Sequence, residues 1–218
     1  MLSIAILGGT GQQGRGLAQR FARAGLRVII GSRDPDRART AVRGWVRTEH
    51  SIEVAENVAA VGRAHVTILA VPFTSLDPLL QALQPHFTDG AIVIDVTVPV
   101  TFAGGRMAML EVAEGSAAEH IRARLPPGVR LAIAFKTIPA HLLGAGDARL
   151  DCDEFVCGDS DEARSQASAL VALLPGLRPI DVGPLSRARS IEHLTALAIA
   201  INRRHKIHDA RFRVVGLT

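Results

Sequence analysis

Three glycines, Gly9, Gly11 and Gly14, stand between an apolar run at residues 2–7 and a helix-patterned stretch from Gly16 to Ala24. A strand, a tight glycine turn and a helix in that order confine the chain to a βα unit whose turn admits close backbone approach. Gly9 is expected to allow the turn, Gly11 to let a pyrophosphate near the backbone, and Gly14 to let helix and strand pack. The helix start adds free N–H groups and a positive dipole end for phosphates. A second strand, Arg27-Val28-Ile29-Ile30-Gly31, ends in Ser32-Arg33. A dinucleotide fold for NAD places an acid at about this point, roughly 20 residues past the glycines, to hold the ribose 2′-hydroxyl. Here Ser32 and Arg33 stand instead, with Arg37 one turn further on, a set that suits a 2′-phosphate. The expected cofactor is NADP(H).

The alternation continues along the chain. Residues 35–48 read as an arginine-rich helix opened by Asp34 and Pro35, residues 51–54 as a short strand, and residues 56–61 as a short helix. Residues 66–71 and 91–95 are continuous apolar runs of strand length, the pattern of strands buried on both faces. A helix is expected over 76–83, another after the capping box Ser116-Ala117-Ala118-Glu119, and a strand over 129–135. Residues 102–106 and 144–147 read as loops. Short strands at 155–158 and 179–182 flank a helix at 161–174, and a long last helix runs from Ser186 to about His208. The fold expected is α/β, a Rossmann-like doubly wound, mainly parallel sheet with a C-terminal helical appendage. Residues 1–183 would form the NADP-binding domain and 184–218 a helix and tail completing a second-substrate site.

Composition removes several function classes. No apolar run is long enough to span a membrane. The first strand begins at residue 2, which leaves no room for a signal peptide and points to the cytoplasm. Cys152 and Cys157 fit no zinc spacing and read as buried apolar residues. The net charge of +4 invites a nucleic-acid reading, but the arginines are spread along the whole chain and only 4% of residues are aromatic. No metal-spaced cluster occurs; His205 and His208 sit among basic residues that repel a cation. There is no tyrosine, which excludes the Tyr–Lys chemistry of short-chain dehydrogenases, and no nucleophile elbow.

Ligands of such sheets bind beyond the carboxyl ends of the strands. Those ends bring forward the glycine turn, Ser32–Arg33, residues 71–73, residues 97–99 and residues 136–140. Lys136, one of only two lysines, stands at a strand end and reads as an acid, an anion holder or an exposed terminal charge. On the last helix Arg189 and His193 are four apart and share a face, with Thr195 offset from them. The tail carries a basic cluster, Arg203, Arg204, Lys206, Arg211 and Arg213, suited to an anionic ligand, with Ala210 beside it.

The glycine turn, Gly31-Ser32-Arg33, Lys136-Thr137-Ile138-Pro139-Ala140, Val156-Cys157-Gly158-Asp159, and the stretches 176–179 and 183–186 together resemble the NADPH-dependent reductases of coenzyme F420. The resemblance covers nearly the whole chain. It implies hydride transfer between NADP(H) and an 8-hydroxy-5-deazaflavin, with coenzyme F420 as co-substrate. By that resemblance Thr10, Gly11, Gln12, Gln13, Ser32, Arg33 and Arg37 bind the pyrophosphate and 2′-phosphate. Phe73, Val98 and Ala140 border the nicotinamide, and Ile138 lies by the transfer point. Lys136 and Thr195 join Ile138 as catalytic candidates, while Arg189, His193, Ala210 and Arg211 are candidates for the second substrate. Many relatives carry His at the position of Lys136 and a small hydroxyl residue at that of His193.

A deazaflavin accepts hydride at carbon, so alignment and water exclusion matter more than a proton relay. Two other readings fit the residues: a reductase of another small acceptor such as a flavin or quinone, and a non-catalytic NADP(H) sensor. A sensor needs no second pocket. The apolar stripe Leu194, Leu197, Ala198 and Ile201 on the last helix predicts a homodimer.

Overall fold

The computed structural model describes residues 2–45, 52–104, 106–146 and 148–217. The first half alternates strand and helix: β1 Ser3–Leu7, α1 Gln12–Arg23, β2 Arg27–Ser32, α2 Pro35–Arg43, β3 Glu53–Glu56, α3 Asn57–Val61, β4 Val66–Leu69 and α4 Leu76–Leu83. β5 Ile92–Asp95 is followed by a hairpin of β6 Val100–Ala103 and β7 Arg106–Met109, then α5 Ala117–Arg122 and β8 Arg130–Ile133. The chain ends with α6 Ala140–Leu143, β9 Cys152–Gly158, α7 Asp161–Ala172, β10 Leu177–Pro184 and α8 Ala188–His205. The expected ends of the second helix (residues 46–48), the short strand (residue 51) and the second loop (residue 147) lie outside the described residues.

The main sheet has the order β10-β9-β8-β5-β4-β1-β2-β3. Its β3-β2-β1-β4-β5-β8 portion is parallel and has the strand order of a dinucleotide fold. Each central strand faces apolar residues both ways. Ile4 and Ile6 join α1 and α7 on one side, while Ala5 and Leu7 join α3, α4, α5 and α8 on the other. That two-sided burial is why these strands read as unbroken apolar runs.

Two features depart from expectation. β9 runs antiparallel to β8, pairing Ile133 with Cys157, and β10 follows β9. The link from β8 to β9 contains only the four-residue α6, so no full helical crossover returns the chain to a parallel start. Phe102, Ala103 and Arg106, read as part of a loop, pair in the β6–β7 hairpin. The N-cap half of the expected capping box forms, with Ser116 Oγ accepting the Glu119 N–H, while the Glu119 carboxylate accepts from the Ser116 hydroxyl at 2.7 Å. Cys152 and Cys157 are free and buried.

Candidate active site

Two cavities lie beyond the carboxyl ends of the parallel strands and share Gly11, Ala70, Val71 and Pro72 as a boundary. One, about 770 Å³, runs from Gly8, Thr10 and Gly11 past Gly31, Ser32 and Arg33 to Glu56, Asn57 and the turn after β4. The left-handed residue of the glycine turn is Gly8, with φ of +80°; a Cβ on Gly9 would meet Ile30 Cδ1 at 2.4 Å, so the buried Ile30 side chain would have to shift. A Cβ on Gly14 would meet the Gly8 carbonyl at 2.6 Å, so the expected close approach of helix and strand holds. Gly11 caps α1 without a side-chain bond, and the first turn holds no acid. Its N–H groups and dipole therefore fit a pyrophosphate.

The tip of β2 fits a 2′-phosphate. Ser32 Oγ accepts the Asp34 N–H, and Asp34 Oδ1 accepts the Arg37 N–H at 3.0 Å, so the acid caps α2. Arg33 and Arg37 are exposed, and no ion pair engages either among the described residues. Glu56, paired in register with Ser32 across β2 and β3, borders the same cavity; its sequence spacing gave no hint of that.

The other cavity, about 560 Å³, brings together Gly11, Gln12, Gln13, Phe73, Val98 and residues 136–140 from the sheet side. Thr195, Ala198, Ile199 and Asn202 of α8 form its opposite wall, with Phe102 of the hairpin and Ala210 of the tail at its rim. Phe73 packs against His120 with ring centroids 5.1 Å apart, and His120 is in turn held by Asp77 at 2.7 Å. Thr195 Oγ1 donates to the Lys136 carbonyl at 2.9 Å. Thus Ile138, Ala140, Phe73, Val98, Thr195 and Ala210 converge.

Lys136 departs from its expected role. Its side chain is wholly buried, and Nζ donates to Asp95 at 2.6 Å, to Glu192 at 3.1 Å and to the Thr97 carbonyl. Burial pulls the lysine pKa down, but Asp95 and Glu192 more than offset that and hold it above the ordinary value. Burial pushes Glu192 up. The ammonium is neutralised inside the protein and does not face an incoming ring.

Arg189 and His193 are also not where the sequence placed them. Both are exposed, with His193 Nδ1 bonded to the Arg189 carbonyl at 2.7 Å, and neither lines either of the two cavities. Helical spacing explains it, since residues 195, 198, 199 and 202 share one face and 189 and 193 fall on the opposite one. Arg211 bonds the Leu150 carbonyl and is likewise outside the cavity lining.

A family model described as NADP oxidoreductase, coenzyme F420-dependent, matches residues 3–99. The F420-dependent NADP reductase of Methanothermobacter thermautotrophicus is 38% identical over 224 residues, covering 100% of this chain and 96% of that protein. The chain belongs to the F420-dependent NADP reductase family.

The reductase of the same name from Methanocaldococcus jannaschii is 33% identical and is covered to 99%, as is this chain. A solved structure from Arthrobacter sp. FB24, assigned as an F420-dependent NADP reductase, superposes with a TM-score of 0.83 at 25% identity, covering 99% of this chain and 100% of that one. The 3-hydroxyisobutyrate dehydrogenase of Mycobacterium tuberculosis shares the fold alone, with a TM-score of 0.64 at 15% identity.

Within this family frame, sequence reasoning missed Asp95, Glu192 and Glu154. Each is 1% exposed or less, but only Asp95 stands inside an apolar run, Glu154 following Asp151 and Asp153 and Glu192 lying between Arg189 and His193. For Asp95 that run is a local signal, because an isolated acid is rarely buried without a partner, whereas Glu154 and Glu192 carry none.

Proposed function

We propose that the protein passes a hydride between NADP(H) and an 8-hydroxy-5-deazaflavin, coenzyme F420. The observation that carries this is the second cavity, which meets the nucleotide cleft at Gly11 and is walled by α8. A nucleotide sensor has no use for it. Residues 1–183 serve as the NADP-binding part, and 184–218 complete the second site. When bound, the nicotinamide supplies or accepts the hydride. The protein aligns and dries the two rings: Gly11 and the start of α1 hold the pyrophosphate, Arg33 and Arg37 hold the 2′-phosphate, and Phe73, Val98, Ile138 and Ala140 present an apolar surface. No cavity-facing acid or base among the described side chains is needed for transfer to carbon.

Family membership and the names of the full-length relatives support the deazaflavin over a flavin or quinone. The reading also carries a homodimer, supported by Leu197 and Phe102, which remain 49% and 66% exposed. Light scattering at micromolar concentration should show two chains; a monomer overturns that part. No helix of the described residues is long and apolar enough to cross a membrane, in keeping with a cytoplasmic enzyme. Mixing the protein with NADPH and the deazaflavin should bleach the deazaflavin absorbance with turnover. Turnover of a flavin or quinone alone would favour the small-acceptor reductase, and tight NADPH binding with no turnover would favour the sensor.

A further inference from the structure

Glu154 lies near the start of β9 and has no exposed surface. Because β9 runs antiparallel to β8, its first residues, and not its last, reach the functional edge of the sheet. The register that pairs Ile133 with Cys157 leads, three residues on, to Lys136 opposite Glu154. There the carboxylate accepts the Lys136 N–H at 2.9 Å and the Thr137 hydroxyl at 2.8 Å. It thereby grips a strained turn. Phe135 has φ of +60°, a left-handed conformation that a bulky residue adopts only when its surroundings impose it. Gln13, in the first turn of α1, donates to the Phe135 carbonyl, and Phe21 packs edge-on against the Phe135 ring at 5.8 Å. The next residues are Ile138, Pro139 and Ala140, which border the second cavity.

We infer that Glu154 is a positioning residue for hydride transfer: its buried carboxylate clamps the Phe135–Thr137 turn from behind and so sets where Ile138 stands between the two rings. This rests on the hydride-transfer reading of the cavity. The grip depends on charge. An ionised carboxylate accepts from both donors in charge-assisted bonds, whereas a protonated one keeps the Lys136 N–H only as a weaker neutral bond and must reverse its bond to the Thr137 hydroxyl.

No ion pair engages Glu154 among the described residues. Lys136 turns its ammonium to Asp95 and Glu192, Arg178 of β10 pairs with Asp153, Arg20 of α1 bonds the carbonyls of Leu142, Leu143 and Ala148, and Arg211 of the tail bonds that of Leu150. Cys152, two residues earlier, has its thiol pushed up to about 12 by burial and stays neutral. Burial pushes Glu154 up to about 7, against the donors from Thr137, Lys136 and Phe135. The clamp therefore loosens within the neutral range as pH falls.

The test is single-turnover hydride transfer between NADPH and the deazaflavin from pH 6 to 8, in wild type, Glu154→Gln and Thr137→Val. Titration of the deazaflavin's own hydroxyl is common to all three and cancels in their ratios. The wild-type rate should fall about tenfold from pH 8 to pH 6, following the ionised fraction of a group near 7. Relative to wild type, Glu154→Gln should be slow at pH 8 and lose that dependence, with the NADPH dissociation constant changed by less than about twofold. Thr137→Val removes a bond to the charged form, so its fall should move to higher pH. A wild-type pH response kept by Glu154→Gln, or an unmoved midpoint in Thr137→Val, overturns the inference. So does loss of NADPH affinity in step with rate, which marks a merely structural role. The amide NMR signal of Ile138 in the NADPH-bound protein needs no turnover and should titrate near pH 7 only when Glu154 is present. A titrating signal without deazaflavin turnover sinks the hydride-transfer reading; turnover without that titration sinks the role of Glu154.

Discussion

Arg33 and Lys136 are both strand-end cations, yet they do opposite things. Arg33 is exposed and carries no ion pair among the described residues, so its charge is available to a ligand. Arg33→Ala should weaken NADPH binding roughly ten- to a hundredfold, the about 1.5–3 kcal/mol of a charge-assisted contact, and leave NADH binding unchanged by fluorescence titration. Equal losses for both nucleotides would place the 2′-phosphate elsewhere. Lys136 spends its charge internally, on Asp95 and Glu192. Lys136→Met would leave two carboxylates buried without a cation, and urea unfolding should show a loss of about 3–5 kcal/mol. Glu192→Gln should cost far less: it leaves a neutral Lys136–Asp95 pair and keeps an oxygen for the Ala117 N–H that Glu192 now accepts at 3.1 Å. A stable Lys136→Met protein with impaired catalysis would restore the catalytic reading of the lysine.

Among the elements, α8 and the β6–β7 hairpin shape the second cavity. α8 is fixed at its middle by Glu192 and by the Thr195 hydroxyl on the Lys136 carbonyl, so its inward face is set by bonds to the sheet edge. The hairpin is held differently, with Phe102 mostly exposed at the cavity rim. Its signal was present in the sequence as two four-residue runs separated by Gly104-Gly105, a turn pair that favours hairpins. If a bound deazaflavin covers Phe102, partial burial of the ring is worth about 1 kcal/mol. Phe102→Ser should then raise the Michaelis constant for the deazaflavin about fivefold, with the NADPH constant unchanged in steady-state assays. Equal changes in both constants would show that the hairpin supports the nucleotide cleft instead.

The whole molecule carries a net charge of +4, and its arginines are spread along the whole chain. Arg203, one turn beyond the cavity-lining Ile199 on α8, and Lys206 at the helix end are exposed. A deazaflavin coenzyme with an anionic tail should be drawn to them, and exposed attraction of this kind is screened over about 10 Å at 0.1 M salt. The Michaelis constant for the tailed coenzyme should rise with ionic strength more than that of a tail-less analogue. Arg203→Ala with Lys206→Ala should flatten that dependence. Arg211, engaged with the Leu150 carbonyl, should matter less than the sequence cluster implied. An identical salt response with and without the tail would move the tail's path to another face.

The nucleotide half was legible in the sequence because its determinants are local. Glycines at 8–14, an apolar strand before them and Ser32–Arg33 after the next strand act over a few residues, where sterics and dipoles follow chain order. The apolar runs likewise announced the parallel strands, since burial on both faces leaves a direct trace in composition. The second site was decided by tertiary structure. Lys136 meets acids 41 and 56 residues away, and whether a charge is offered to a ligand or cancelled depends on those distant partners. The reversal of β9 is equally silent in its apolar pattern, because a strand buried on both faces reads the same in either direction. That direction alone brings Glu154 to the turn that carries Ile138.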